Sequence, residues 1–422
     1  MWCMTLMTPT LHRLCACPIC GLFQTMPKLR PGARAVCGRC GSVLRQDRTD
    51  PAGRALALAL TGLLMFTLAA TLPFMRIDLG SVRQTTLLTG PEALEQSGMW
   101  ELALVVLATT MLAPLGKLLA VIWVLLGLRL GWPRRHLVPV FTWVERLSPW
   151  SMIEVFMLGV FVAYTKLNDL APVHMGLAVY ALGGLMVAMA ATDSALDHEA
   201  IWERLERPGL ANQQRRQPGR PIGCDVCGQV MHEQPTHPLH KCVRCGARLR
   251  HRKQNSLNRA WALLLAAAVL YIPANTLPVL TLVHLGQGEP STILGGVEEL
   301  ATEGQWPLAV LVFVASIAVP VLKLGGLALL LITTQLRMAG RLGERTRLYR
   351  IVEAVGRWSM VDVFMISILT ALVQMGALAT ISPGPGVPCF CAVVVLTMLA
   401  ANSFDPRLMW DAAAPPSRQR GP

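Results

Sequence analysis

The chain has 422 residues and a net charge of +13 at pH 7. Hydrophobic residues make up 53% and charged residues 15% of the sequence, whereas typical soluble domains contain about 25% charged residues. This composition excludes an ordinary soluble protein. The basic residues lie between apolar segments, so membrane topology explains the positive charge and no nucleic acid is expected as a partner.

Two four-cysteine clusters open the two halves of the chain. Each has two C-x-x-C pairs, 16 residues apart in the first cluster and 14 in the second. This spacing can place four thiolates at the corners of a tetrahedron, as structural Zn²⁺ requires. A glycine follows each pair and favours a tight turn. The predicted metal ligands are Cys17, Cys20, Cys37, Cys40, Cys224, Cys227, Cys242 and Cys245.

One Zn²⁺ per cluster is the leading interpretation of these motifs, giving two ions in total. Mononuclear iron and a dithiol redox pair are the alternatives. Because the protein supplies all four ligands, the sites are predicted to be structural rather than catalytic. The other four cysteines do not recur between the halves and are not expected to be ligands.

Each cluster precedes four apolar runs long enough to cross a hydrocarbon core of about 30 Å. Helix is the expected structure, because an isolated segment in lipid must satisfy its own backbone hydrogen bonds. The eight predicted spans are Ala55–Met75, Trp100–Leu128, Trp150–Leu170, Pro172–Thr192, Arg259–Leu282, Trp306–Thr334, Trp358–Thr380 and Gly386–Asn402.

The two halves are copies of one unit. Trp100 recurs as Trp306, and the intramembrane Lys117 recurs as Lys323. The predicted fold is an all-α polytopic membrane protein with two tandem units, each a zinc-ribbon-like domain plus a four-helix transmembrane bundle. The predicted domains are 1–50, the first ribbon; 51–203, the first bundle; 204–220, a linker; 221–252, the second ribbon; 253–411, the second bundle; and 412–422, a disordered tail.

Lysine and arginine residues set the predicted orientation. Eight precede the first span, and eleven lie between Arg204 and Lys253. The loop Val283–Gln305 has none and carries four glutamates. The bias alternates at each crossing, so both termini and both ribbons are predicted to be cytoplasmic. That compartment is reducing and disfavours disulfides.

Charged residues inside the spans form a second set of candidate site residues. A charge at membrane depth is expensive unless it is paired or faces water. Depth along the helices makes the pairs Lys117–Glu154 and Lys323–Asp362 plausible. Each pair can be a structural link between two helices or a group used in substrate passage or proton coupling. A lysine that extends to the interface without a partner is the third interpretation.

The sequence resembles the paraquat-inducible protein A family. The resemblance rests on the paired C-x-x-C motifs, the four helices per unit, the Trp-Ser-Met-x-acidic-Val-Phe segments that start at Trp150 and Trp358, and the run Ser403–Arg407. It covers both copies, and the first departs from the second at Ala195–His198.

This resemblance implies an inner-membrane subunit of an intermembrane phospholipid transport system in a double-membraned bacterium. The implied partners are membrane phospholipids and a periplasmic protein with mammalian-cell-entry domains. The implied role is to pass lipid between the bilayer and the tunnel which that partner forms.

Two other functions stay open on the sequence alone. The cysteine pairs could serve a redox-responsive or metal-responsive membrane protein, or the chain could be a scaffold that anchors partners. No G-x-x-x-x-G-K-[ST] loop is present, so ATP hydrolysis in this chain is not expected. The protein is predicted not to be an enzyme.

Overall fold

A computed structural model describes residues 13–26, 29–30, 32–46, 51–78, 82–168, 173–206, 219–234, 239–284, 287–356, 358–372 and 379–413. Residues 207–218 of the predicted linker 204–220 and residues 414–422 of the predicted tail 412–422 lie outside these residues. The protein is mostly helical, in agreement with the predicted fold class.

Within the described residues, eight helical segments are long and apolar enough to cross a membrane. They are Ala52–Thr71, Trp100–Arg129, Arg134–Thr165 and Leu177–Ala195 in the first unit, and Ser256–Thr276, Trp306–Gln335, Leu342–Leu372 and Gly386–Ser403 in the second. The predicted starts at Trp100, Trp306 and Gly386 are confirmed. This is a multi-pass membrane protein.

Several predicted span ends are wrong, because apolar sequence continues from helix into strand. The predicted first span ran to Met75, but the helix ends at Thr71. The predicted fifth span ran to Leu282, but that helix ends at Thr276. A proline follows each of these helices, and the chain then enters a β-strand, where apolar side chains are equally suitable.

Each unit carries a three-stranded antiparallel sheet that the sequence analysis missed. In each sheet the strand after the unit's first span lies in the centre, and the strand before its fourth span completes the sheet. We call this end of the bundle the sheet side and the opposite end the ribbon side. The strands are Met75–Asp78, Val82–Thr85 and Val173–Met175 in the first unit, and Leu280–His284, Gln287–Ser291 and Ala379–Pro383 in the second.

On the ribbon side, the third span of each unit begins with a helix that carries several arginines. Arg134–Leu147 and Leu342–Val355 each end at a 3₁₀ turn, Ser148–Trp150 and Trp358–Met360, and the apolar remainder of the third span follows. Arg134–Leu147 buries Leu137, Phe141 and Val144 on one face, which is the pattern of an amphipathic helix. The predicted third and seventh spans began only at Trp150 and Trp358, so the sequence analysis left these helices outside the spans.

A π-helical turn interrupts the second span of each unit. The turns are Ala108–Leu112 and Val314–Ala318, and the α-helix that follows each has a proline in its first turn. Proline has no backbone N–H to donate to the preceding turn, so the helix widens there.

The two units pack through their third spans. The rings of Phe156 and Phe364 lie with their centroids 5.4 Å apart. A Cβ atom at Gly159 would lie 3.0 Å from the Cβ atom of Phe364, so a glycine is needed for this close approach.

Short strands and helices complete the structure. The ribbon strands are Arg13–Ala16, Phe23–Met26, Arg34–Val36, Val43–Gln46, Arg220–Gly223 and Val230–Glu233. The short helices are Thr89–Gln96 and Ile293–Thr302 on the sheet side, and His198–Leu205 and Arg407–Ala412 on the ribbon side. We call the last two the post-span helices, because each follows the fourth span of its unit.

Candidate metal centres and intramembrane charges

The eight predicted cysteine ligands form two compact groups. In each group the four sulfur atoms all lie within 4.8 Å of one another. The closest Sγ–Sγ distances are 3.5 Å in both clusters. A disulfide needs about 2.05 Å, whereas Zn–S bonds of about 2.3 Å place tetrahedral sulfurs about 3.8 Å apart. The clusters are therefore positioned to bind a metal ion.

The predicted glycine turns are present in both ribbons. The glycines after the four C-x-x-C pairs, Gly21, Gly41, Gly228 and Gly246, have φ angles of 71°, 67°, 69° and 72°. Each donates its backbone N–H to the carbonyl oxygen of the first cysteine of its pair. These left-handed turns are open to glycine and strained for most other residues, so the sequence predicts the local fold of the site.

Hydrogen bonds within each cluster lower the pKa of one cysteine and raise the pKa of its neighbour. Hydrogen bonding with Cys20 lowers the pKa of Cys17 to about 4, against the opposing effect of burial. Hydrogen bonding with Cys227 lowers the pKa of Cys224, and the same contact raises the pKa of Cys227. Metal binding requires thiolates and releases the remaining protons.

The first ribbon docks on the post-span helix of the second unit. Cys17, Cys20 and Cys37 share an apolar cluster with Phe404 and Trp410. The guanidinium carbon of Arg39, which precedes the last cysteine of this ribbon, lies 4.4 Å from the ring centroid of Trp410. Arg350 also donates to the backbone carbonyl oxygen of Cys40 at 3.0 Å.

The second ribbon docks on the post-span helix of the first unit by the equivalent contact. Arg244 precedes the last cysteine of this ribbon and lies 5.9 Å from the ring centroid of Trp202. Its side chain is 0% exposed and donates to the carbonyl oxygens of Trp202 and Cys227 at 3.2 and 3.3 Å. The arginine–tryptophan contacts of the ribbons are therefore crossed, each reaching the other unit.

A buried charge network closes the ribbon side of the second unit. The guanidinium of Arg407 binds both carboxylate oxygens of Asp405, at 2.9 and 2.8 Å, and also reaches Asp225 between two ligand cysteines at 2.9 Å. Burial raises the pKa of Asp405, but the hydrogen bonds and charge of Arg407 outweigh this effect and hold that pKa below its usual value. The run Ser403–Arg407 thus anchors the last span to the second ribbon.

Lys117 is buried and paired, but its partner is a residue that the sequence analysis did not consider. Its Nζ atom lies 2.7 Å from Asp193 Oδ2 and 3.4 Å from Ser148 Oγ. The structure does not bring it together with Glu154, whose side chain is exposed. Asp193 lies at the ribbon-side end of the fourth span, within reach of the lysine.

Lys323 and Asp362 line different cavities. Lys323 is 1% exposed, donates to the carbonyl oxygen of Gly356 at 3.3 Å and lines a ribbon-side cavity of about 380 Å³. Asp362 is 5% exposed and lines a narrow sheet-side cleft of about 40 Å³, together with Ser316. The other walls of the cleft are largely apolar. The structure therefore places the two predicted partners at separate sites.

Two signals in the sequence could have identified the missed residues. Asp193 lies in an apolar run, where a charge requires an explanation. Trp202 and Trp410 recur at the same place in the two units, as do the arginines before the last ligand cysteines. The crossed docking itself depends on tertiary contacts that no local pattern specifies.

Comparison with known proteins gives consistent matches along the whole chain. The family model described as paraquat-inducible protein A matches residues 53–206 and 257–414. The intermembrane transport protein PqiA of Escherichia coli K12 is 35% identical over 94% of this chain and 95% of its own length. No solved structure matches the chain.

Two further relatives have similar coverage. The lipophilic envelope-spanning tunnel protein A of Escherichia coli K12 is 32% identical over 94% of this chain and 91% of its own length. A probable intermembrane transport protein of Haemophilus influenzae is 25% identical over 96% of this chain and 98% of its own length. Because the family model matches both units, the chain belongs to the paraquat-inducible protein A family.

Proposed function

We propose that this protein is an inner-membrane subunit of an intermembrane lipid transport system. It passes phospholipid between the bilayer and a periplasmic tunnel protein with mammalian-cell-entry domains. The support is the match over nearly the full chain to relatives named for intermembrane transport and for an envelope-spanning tunnel, together with eight spans in the described residues.

The ribbons face the cytoplasm in this proposal, and the two sheets face the periplasm. The alternating lysine and arginine bias of the loops supports this orientation. The reducing cytoplasm also suits eight free ligand thiols.

The single observation that carries the proposal is the sheet-side cleft with Asp362 at its inner end. The sheet-side elements contribute Val279, Leu280 and Ile293 to the lining of this cleft. The third span of the second unit contributes Ile366. The cleft thus joins periplasmic elements to a buried carboxyl within the bundle. A lipid would enter when the sheet and the spans move apart, because the closed cleft is too narrow for an acyl chain.

Zn²⁺ is the proposed metal, with one ion held by each four-cysteine cluster. It supplies a tetrahedral crosslink and no open coordination position. The crossed docking would extend this crosslink to both units. A redox function is less well supported, because all four sulfurs of each cluster converge on one centre.

The sheet side is the proposed contact surface for the periplasmic partner. Leu88, Leu177 and Leu294 expose 40%, 67% and 57% of their surfaces there. Apolar residues at that level can face either lipid headgroups or a protein partner.

The test is transfer of fluorescent phospholipid from vesicles containing the full-length protein and its periplasmic partner. Asp362→Asn should slow transfer at least about tenfold, the equivalent of about 1.4 kcal/mol, because the buried carboxyl is lost. Glu154→Gln is the matched control, because Glu154 holds the position of Asp362 in the repeated segment of the first unit and its carboxyl is exposed. This variant should transfer lipid at the wild-type rate. A folded Asp362→Asn protein with wild-type transfer would contradict the role of the cleft.

A further inference from the structure

The ribbon-side cavity of the second unit contains a buried lysine amino group with few hydrogen-bond acceptors. Lys323 is 1% exposed, and its Nζ atom donates to the Gly356 carbonyl oxygen at 3.3 Å. A lysine ammonium has three N–H donors, and burying it is costly unless its charge is balanced. The cavity beside it measures about 380 Å³, whereas a water molecule occupies about 30 Å³.

The first unit shows how the same lysine is balanced there. Lys117 donates to Asp193 at 2.7 Å. When Trp202 is aligned with Trp410, Asp193 corresponds to Ala401, and Asn402 is the next residue. The duplicated lysine was therefore kept in the second unit, while the position of its carboxylate partner holds an uncharged residue. Ala401 and Asn402 both line the cavity.

A second cation stands on the wall of the same cavity. Arg350 is partly buried, and its Nη2 atom donates to the carbonyl oxygen of Cys40 at 3.0 Å and to Cys40 Sγ at 3.9 Å. Its guanidinium has five N–H donors, so further donors are available. Glu353 also lines the cavity, but its side chain is exposed to solvent, where its charge is screened. Lysine and arginine together match the oxygens of a phosphoryl group.

Apolar side chains and the hydroxyl-bearing Ser148 complete the walls of the cavity. Met398 and Val352 come from the second unit, and Pro149 comes from the first. A ligand with a phosphoryl head and an apolar body would satisfy both kinds of wall.

We propose that this cavity is a binding site for a phosphoryl anion, in which Lys323 and Arg350 donate to the phosphate oxygens. The ligand takes the place of the carboxylate that Asp193 supplies in the first unit. A phospholipid headgroup and free inorganic phosphate share this chemistry. The lipid form of the proposal rests on the proposed transport function, whereas the anion site itself does not.

The test is native mass spectrometry of the full-length, delipidated protein in non-ionic detergent. The probes are dioleoylphosphatidylglycerol, dioleoylglycerol and inorganic phosphate. The wild type should bind the phospholipid at a site that dioleoylglycerol does not fill. Lys323→Gln should weaken that binding about 10-fold to 100-fold, as expected for loss of a charge-assisted hydrogen bond. Lys117→Gln is the matched control and should bind as the wild type does.

Ala401→Asp is the second variant. It places a carboxylate at the position equivalent to Asp193, so Lys323 gains an internal partner and the anion should be displaced by a similar factor. Retention of both metal ions and of the thermal unfolding midpoint shows that each variant is folded. Should Lys323→Gln fail to fold, Ala401→Asp and the wild-type comparison of phospholipid with dioleoylglycerol still decide the question.

Each outcome has one meaning. Phospholipid binding with the expected variant dependence assigns the site to a lipid headgroup, and phosphate binding alone with the same dependence assigns it to a soluble anion. The proposal is overturned if Lys323→Gln and Ala401→Asp both bind like the wild type, or if Lys117→Gln loses as much as Lys323→Gln. Binding is measured without the periplasmic partner, so failure of lipid transfer and failure of this site are distinguishable.

Discussion

The two units share one architecture but differ in how their buried charges are balanced. In the first unit Lys117 is paired with Asp193, and the post-span helix begins near Glu199. In the second unit Lys323 borders a cavity, and Arg407 stands in the position of Glu199. Duplication thus preserved the metal ligands and the spans, whereas the polar contacts on the ribbon side diverged. The second unit contributes most of the lining of the two cavities that hold Lys323 and Asp362.

The largest expected effect comes from removing one metal site. Cys224→Ser combined with Cys227→Ser should lower the zinc content from two ions to one and unfold the second ribbon. Structural zinc binds zinc-finger peptides with about 10–16 kcal/mol, far more than a small domain can replace. Elemental analysis and limited proteolysis would measure both results.

The matched control is Cys15→Ser, which changes a cysteine outside the clusters and should keep two ions.

The crossed docking of the ribbons gives a second comparison between the units. Loss of the second ribbon should expose the first unit's post-span helix around Trp202 to protease, and loss of the first ribbon should expose Trp410. Exposure of the opposite helix in each case would contradict crossed docking.

The next largest effect is on the free energy of unfolding, and it differs between two aspartates at equivalent positions of the two units. Asp405→Ala should destabilise the protein by about 3–5 kcal/mol, because Arg407 would be left as a buried charge without its main partner. Asp197→Ala should cost only about 1 kcal/mol, since that side chain caps its helix through the Ala200 N–H at 3.1 Å. Thermal or chemical unfolding in detergent measures the difference, and equal losses would refute the distinction between the two units.

The Asp405 contribution should also depend on pH. Its pKa is lowered in the folded protein, so its stabilisation is present above the ordinary carboxyl pKa and is lost as the pH falls through the lowered value. The difference in stability between the wild type and Asp405→Asn should therefore shrink in strong acid and stay constant near neutral pH.

The sequence predicts the parts of this structure that depend on local chemistry. Cysteine spacing and glycine turns locate both clusters, and hydropathy locates eight spans, because each signal is read within one segment. Repetition of Trp100, Lys117 and Trp150 identifies the two units before any contact is known.

The rest depends on contacts between distant segments. The lysine partners were assigned from depth along the helices, but depth does not specify which neighbouring helix presents a carboxylate. Lys117 pairs with Asp193 because the fourth span ends beside it, as the 2.7 Å contact shows. The small sheets were missed because Met75 and Leu282 read as continuations of apolar helices. Crossed docking has no local signature at all.

The smallest expected effects concern the two crossed arginine–tryptophan contacts, which are equivalent in sequence and unequal in burial. Arg244 is fully buried and donates to two carbonyl oxygens and to Glu199, so Arg244→Ala should cost about 2–3 kcal/mol. Arg39 is exposed and stacks on Trp410, so Arg39→Ala should cost about 0.5–1 kcal/mol. Unfolding midpoints with metal content held constant measure both changes. If Arg39→Ala destabilised the protein more than Arg244→Ala, the first ribbon would be the more tightly docked of the two.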